Sequence, residues 1–226
     1  MLRAVIFDFD GVITDSEVLH LRAFNKVLAQ YGVEISTRDY YKEYLGLSDL
    51  DCFKTIVNKK ILQKPAVEIE HLAKEKKQVF EKLAKTEGRI IEGVRDFLQT
   101  LSQNNMPMAI CSGALSVEIE LILEDARLRH FFEVIVSAEM VRRGKPSPEG
   151  FLLTLKKLNC SRQNAILPNQ CIVIEDSHWG LEAAKAAGMH SVAVTNSYEA
   201  DQLKLAEKIV AKLGELSIDD LQDLCG

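Results

Sequence analysis

The chain has 226 residues, 47% of them hydrophobic and 27% charged, and 28 Lys plus Arg against 33 Asp plus Glu leave a formal net charge of −5. Such a composition suits one sizeable globular domain, or a core with a small second domain, and excludes collagen-like, coiled-coil and disordered chains. No apolar run approaches the ~18 residues of a membrane span, and an acidic chain without a basic block is ill suited to nucleic acid.

The apolar run Ala4 to Phe7 predicts a first, fully buried strand. No cationic leader precedes it, so no signal peptide is expected. Helical patterns then cover Val18 to Tyr31, Thr37 to Tyr44, Ser48 to Val57 and Ile69 to Ala84, with no convincing strand among them. They predict a small all-helical domain, residues 17–86, inserted after the first strand, with hinges near Asp15-Ser16 and near Gly88. Strict alternation follows. A helix over Glu92 to Leu101 precedes a strand over Met106 to Cys111, and a helix over Ser116 to Leu123 precedes a strand over Val134 to Val136. Pro148 is expected in the first turn of a helix carrying Phe151, Leu152, Leu155 and Leu158. A strand over Cys171 to Ile174, a helix over His178 to Ala187 stopped by Gly188, and a strand over Val192 to Val194 complete the pattern. Alternating strands and helices imply right-handed crossovers and a doubly wound parallel α/β sheet built from residues 1–16 and 87–226.

The five cysteines, at 52, 111, 160, 171 and 225, include no C-x-x-C pair. Cys111 and Cys171 lie in apolar runs and read as small buried hydrophobes. With no leader expected, this points to a reducing cytoplasm.

Four polar constellations fall just after predicted strands, where open α/β sheets bind ligands. In Asp8-Phe9-Asp10-Gly11 the two carboxylates are two residues apart, so they face one side of an extended segment. Two carboxylates that close require a cation or a shared proton, and hard oxygen ligands suit Mg²⁺. Ser112-Gly113 offers a hydroxyl and backbone N–H groups to an anion, although Ser112 could equally be a helix N-cap. Lys145, set among Gly144, Pro146 and Pro148, could attract phosphate or be a surface lysine in a turn. Glu175-Asp176 adds carboxylates for a cation, with an N-cap role for Asp176 as the alternative. Each alternative is reasonable alone, but all four together on one rim are not an accident of composition.

In this order, the four constellations make the sequence resemble the haloacid-dehalogenase superfamily of phosphohydrolases. Asp8 to Glu17 resembles the first family motif almost letter for letter, and Ser112, Lys145 and Glu175-Asp176 match the other three. The resemblance covers nearly the whole chain and is closest to the subgroup of β-phosphoglucomutase and capped sugar-phosphate phosphatases. It implies a Rossmann-like core with the first strand central and the helical insertion as a cap. It also implies that Asp8 is the nucleophile that becomes an aspartyl-phosphate and that Asp10 is the acid and base. Mg²⁺ would be held by Asp8, the Asp10 carbonyl and Asp176, with Glu175 near or among the ligands. Ser112, the Gly113 N–H and Lys145 would cradle the phosphoryl oxygens. An acid at position 10 favours phosphoryl-ester chemistry, since dehalogenases and phosphonate hydrolases of the family lack one.

On helical periodicity, Lys76 shares a stripe with Leu72, Val79, Phe80 and Leu83, and His20 aligns with Phe24, Val27 and Tyr31. Both match cap residues that face the active site in β-phosphoglucomutase-like proteins. A lysine snorkelling at the stripe's edge and a packed neutral histidine are the structural alternatives. The pattern departs at Asp49, where mutases of this subgroup carry an Arg that grips a second phosphate. An Asp would repel that phosphate by about 1 kcal/mol, and Arg142-Arg143 reads as a solvated pair. The expected function is therefore a cytoplasmic, Mg²⁺-dependent phosphatase acting as a monomer or weak dimer on a small phosphorylated metabolite, of sugar-phosphate or phosphoglycolate type. A sugar phosphomutase is the alternative. A phospho-accepting receiver-type signalling domain is the alternative of another class, disfavoured by the insertion and by Asp10.

Overall fold

The computed structural model describes residues 1–45, 47–62, 68–87, 89–160 and 162–226. In chain order, β1 (Ala4–Phe7) is followed by α1 (Glu17–Leu28), α2 (Thr37–Glu43), α3 (Asp49–Asn58) and α4 (Ile69–Glu87). Then come α5 (Val94–Gln103), β2 (Met108–Cys111), α6 (Ser116–Asp125), β3 (Val134–Val136), α7 (Glu149–Asn159), β4 (Cys171–Glu175), α8 (His178–Ala186), β5 (His190–Val194), β6 (Lys208–Val210) and α9 (Ile218–Leu224). The chain divides into two compact units, one of Met1–Asp15 with Arg89–Gly226 and one of Ser16–Gly88.

The first unit is a doubly wound α/β domain. Its sheet is parallel throughout, in the order β3-β2-β1-β4-β5-β6, with β1 central. All four residues of β1 are fully buried, as a strand covered on both faces requires. Ile6 joins Ala109, Phe151, Leu158, Val173 and Ala183 on one face. Phe7, pointing the other way, makes edge-to-face contacts with Phe97 at 6.2 Å and Phe132 at 5.9 Å. Register positions the site. Phe7 pairs with both Ile110 and Ile174, so Asp8, Ser112 and Glu175 leave the sheet along one edge. Cys111 and Cys171 are buried, and burial pushes their thiols up to about 11 and about 12 respectively, as expected of inert core residues.

Three details differ from the sequence reading. β6 and α9 were not predicted: β6 is three residues long, begins at a half-exposed lysine and lies at the sheet edge. The helix expected to run to Tyr31 is α-helical only to Leu28 and tightens into a 3₁₀ turn, ended by Gly32 at φ +69°. Pro148 stands at the N-cap of α7, just before the first turn.

The second unit is helical, and α1, α3 and α4 close around Phe24, Phe53, Ile56 and Leu72. Ser36 and Ser48 cap α2 and α3 by accepting from the N–H groups of Asp39 and Asp51 at 3.1 and 3.2 Å. Within the first unit, the two ends of the insertion meet. Thr14 forms an antiparallel bridge with Ile90, and its Oγ1 donates to the Arg89 carbonyl at 2.8 Å. The expected hinge at Gly88 lies outside the described residues.

Candidate active site

The loop after β1 is folded tightly on itself. The Asp8 N–H continues the ladder to the Ile174 carbonyl at 2.9 Å, and the Phe9 carbonyl accepts from the N–H groups of Ile13 and Thr14. Gly11 adopts φ +74°, a conformation that costs a residue with a side chain about 1–2 kcal/mol. Its N–H donates to the Thr14 carbonyl at 2.8 Å. Because the peptide is planar and trans, the Asp10 carbonyl points the opposite way, out of the turn. A Cβ on Gly11 would lie 1.8 Å from Asp176 Oδ2, so only glycine allows this approach. The Asp10 carboxylate accepts a long hydrogen bond from Ser112 Oγ at 3.5 Å.

The other three motifs converge here. Ser112 follows β2, its N–H bonded to the Val136 carbonyl at 3.0 Å, and its Oγ accepts from the Ala114 N–H at 2.9 Å. It is not the helix N-cap, because α6 begins four residues later behind Leu115. A Cβ added to Gly113 would meet nothing within 4 Å, so its face is open. Lys145 is no surface lysine. Its Nζ donates to Asp8 Oδ1 at 2.5 Å and to Glu175 Oε1, and it lies over the Phe151 ring. Glu175 is fully buried, and its Oε2 accepts from the Asp176 and Ser177 N–H groups and the Ser177 hydroxyl. The N-cap of α8 is Ser177, which accepts from the Gly180 N–H at 3.2 Å, rather than Asp176.

Electrostatics defines the charge that this site can accept. Burial first, then Glu175 and Asp10, push the Asp8 carboxyl up to about 8 against the pull of Lys145. Burial, Glu175 and Asp8 likewise raise Asp176 well above the carboxylate range. Burial works to lower Lys145, but Asp8 and Glu175 prevail and raise it. Ligand oxygens of Asp8, Glu175 and Asp176 lie within 4.8 Å of one another. Three buried carboxylates and one ammonium leave an uncompensated negative charge, and the donors are all hard oxygens. The residues therefore fit a divalent cation of the Mg²⁺ type.

Sequence reading missed four contributors. Gly180 packs its Cα against the Glu175 carboxylate, and Ser177 anchors that carboxylate. After β5, Asn196 Nδ2 donates to the Gly11 carbonyl at 2.7 Å, and Ser197 Oγ stands beside Asp176 Oδ2 at the open face of Gly11. The signal for the last two was present: Thr195-Asn196-Ser197 is a fifth polar run directly after a predicted strand.

His20 and Lys76 lie together in the helical unit. Lys76 is completely buried rather than snorkelling at an edge. Its Nζ is 2.6 Å from Asp49 Oδ1 and 2.6 Å from His20 Nδ1, and it sits over the Phe24 and Phe80 rings. His20 stacks on Phe80 with ring centroids 4.0 Å apart. Burial, then Lys76, holds His20 well below its ordinary pKa, so it is neutral and accepts from the lysine. The Asp49 carboxylate is thus already matched by a buried cation. Arg143 is 81% exposed and 3.9 Å from Glu149, as a solvated charge.

Comparison with known proteins identifies the family. The profile of the haloacid dehalogenase-like hydrolases matches residues 5–194. The chain is 31% identical over 192 residues to the phosphorylated carbohydrates phosphatase of Thermotoga maritima, covering 84% of each chain. It is 30% identical to the fructose-1-phosphate phosphatase YqaB of Escherichia coli, over 84% of this chain and 95% of that one. A solved β-phosphoglucomutase from Clostridium difficile superposes with a TM-score of 0.80 at 28% identity, covering 100% of this chain and 97% of that one. By sequence and by fold, the chain belongs to the haloacid dehalogenase-like hydrolases.

Proposed function

We propose that the protein is a Mg²⁺-dependent phosphatase that releases phosphate from a small phosphorylated sugar or polyol. The observation that carries the reading is the Asp8 carboxylate, held at 2.5 Å by the half-buried Lys145 at the end of the central strand, amid oxygen donors that suit a cation. Asp8 attacks phosphorus and becomes the aspartyl-phosphate, while Asp10 gives its proton to the departing alkoxide oxygen. Asp10 then takes a proton from the water that attacks the aspartyl-phosphate, and inorganic phosphate leaves. Ser112 Oγ, the Gly113 N–H and the Lys145 ammonium hold the phosphoryl oxygens through both steps. Mg²⁺ would be held by Asp8, the Asp10 carbonyl and Asp176, with Glu175 beside them, and supplies the charge that lets a carboxylate approach a phosphate dianion. The helical insertion, residues 17–86, is assigned substrate selection through His20 and Lys76.

Likeness to a phosphomutase raises the second reading. A mutase must grip the remote phosphate of a bisphosphate intermediate, and in the helical unit the charge of Lys76 is matched by Asp49. Water is therefore expected to intercept the aspartyl-phosphate. The test is product analysis with sugar monophosphates, including β-glucose 1-phosphate with a trace of glucose 1,6-bisphosphate. Stoichiometric phosphate release independent of the bisphosphate is expected. Conversion to glucose 6-phosphate without free phosphate would establish the mutase instead.

A further inference from the structure

The loop after β5 carries none of the four motifs, yet it touches both carboxyl-bearing loops at the centre of the site. Thr195 extends the ladder, its N–H bonded to the Val210 carbonyl at 3.1 Å, so the loop starts from a fixed point. Asn196 then reaches back across the sheet edge and donates to the Gly11 carbonyl at 2.7 Å. Ser197 Oγ and Asp176 Oδ2 crowd the same face of Gly11, 2.7 and 1.8 Å from where a Cβ there would stand, which sets the hydroxyl beside the carboxylate. Gly11 is thereby locked on both sides. Thr14 takes its N–H, and Asn196 takes its carbonyl. The first bond aims the Asp10 carbonyl, and the second stops the Gly11 unit from rotating about its freely turning backbone. The Asp176 carboxylate needs similar restraint, because the terminal torsion of an aspartate has only broad preferences.

We infer that Asn196 and Ser197 are positioning residues for the divalent cation: Ser197 orients the Asp176 carboxylate, and Asn196 fixes the Gly11 turn that aims the Asp10 carbonyl. The inference rests on the metal reading proposed above. Partners of this kind typically set metal affinity by about 10–100-fold. Neither side chain belongs to the hydrophobic core, since Asn196 is exposed and Ser197 half-buried, so their removal is expected to act on the site rather than on folding.

The test uses the full chain stripped of metal, with Mg²⁺ titrated by calorimetry in the absence of substrate and melting followed in EDTA. Ser197→Ala should weaken Mg²⁺ binding about tenfold or more while melting in EDTA stays near wild type. Ser197→Thr, which keeps the hydroxyl, should restore affinity. Asn196→Asp keeps the shape but replaces the donor by an acceptor facing a carbonyl, and should also weaken binding. Wild-type affinity in both Ser197→Ala and Asn196→Asp would overturn the assignment. So would a loss of metal-free stability without a loss of Mg²⁺ affinity, since that marks a structural role. A wild-type protein that binds no Mg²⁺ would instead refute the metal reading on which the inference stands.

Discussion

Replacing Gly180 by Ala tests how rigidly the site is built. In an ordinary helix this change stabilises by up to about 1 kcal/mol. Here the new Cβ would lie 1.8 Å from Glu175 Oε1, 1.9 Å from its Cδ and 2.3 Å from Oε2. Nothing approaches a Cβ that closely, so the carboxylate must move by more than an ångström. It has nowhere free to go: it is fully buried, bonded to Lys145 through Oε1, and accepts two N–H groups and a hydroxyl through Oε2. Each hydrogen bond to a buried charge is worth about 1.5–3 kcal/mol. Loss of one or two outweighs the helical gain, leaving a net destabilisation of roughly 1–4 kcal/mol. Lys145 would lose its support at the same time, and an ångström of misplacement costs about 10²-fold in rate. Urea unfolding and steady-state phosphate release measure the two effects. Shortening the displaced side chain in Gly180→Ala with Glu175→Asp should recover part of the lost stability, a coupling between neighbours that simple additivity would not give. Gly180→Ala with unchanged or higher stability and kcat within threefold of wild type would refute the picture of a locked Glu175.

Asp8→Asn should leave less than about 10% of wild-type kcat with the fold intact, since it is nearly isosteric but removes the nucleophile; phosphate release and circular dichroism decide. In metal-free buffer the raised pKa of Asp8 means that the folded state binds more protons than the unfolded one, so its contribution is present at acid pH and lost as pH rises through about 8. His20 is depressed and opposes this trend only below its unfolded value of about 6.5, so the metal-free melting temperature should fall between pH 6.5 and 8.5 and Mg²⁺ should raise it most at the upper end. A flat or rising profile contradicts the cluster. Asp49→Asn strands the buried Lys76 and should cost about 1–3 kcal/mol, below the full penalty for a broken buried pair because Asp49 is 31% exposed. Adding Lys76→Met should recover most of that loss in urea unfolding, and a double variant weaker than Asp49→Asn alone would contradict the pairing.

The central strands were legible because burial on both faces demands uninterrupted apolar runs, and Ala4–Phe7 and residues 171–174 of β4 comply. β6 was not, because its three residues at the sheet edge carry a lysine and no such demand acts there. Asp8, Ser112 and Glu175-Asp176 could be found because they stand at strand ends, which parallel register brings together without any knowledge of side-chain contacts, whereas Lys145, well beyond β3, showed itself by its turn-forming neighbours. Contacts between loops are another matter. The polar run Thr195-Asn196-Ser197 sets Asn196 on the rim of the sheet, but does not tell that its amide reaches the Gly11 carbonyl at 2.7 Å. For the same reason Asp49 looked like a bare repulsive charge and Lys76 like an edge lysine, when each is the other's partner. Periodicity places residues on faces; it does not say which charges will neutralise one another.

The bridge between Thr14 and Ile90 has a consequence for how such a protein can be altered. Chain exit and chain return form the two sides of one antiparallel ribbon, and opposed residues in such a ribbon are about 5 Å apart. A two-residue turn of the hairpin type spans that gap. The α/β domain therefore has a socket into which an insert of any length can be spliced without moving β1 or α5. Excision of residues 16–88, or their exchange for an unrelated helical or stranded segment, leaves the register of the parallel strands untouched. The hydrogen-bond ladder that carries Asp8 joins β1 to β2 and β4, both outside the insert, so a change within residues 16–88 removes none of its bonds.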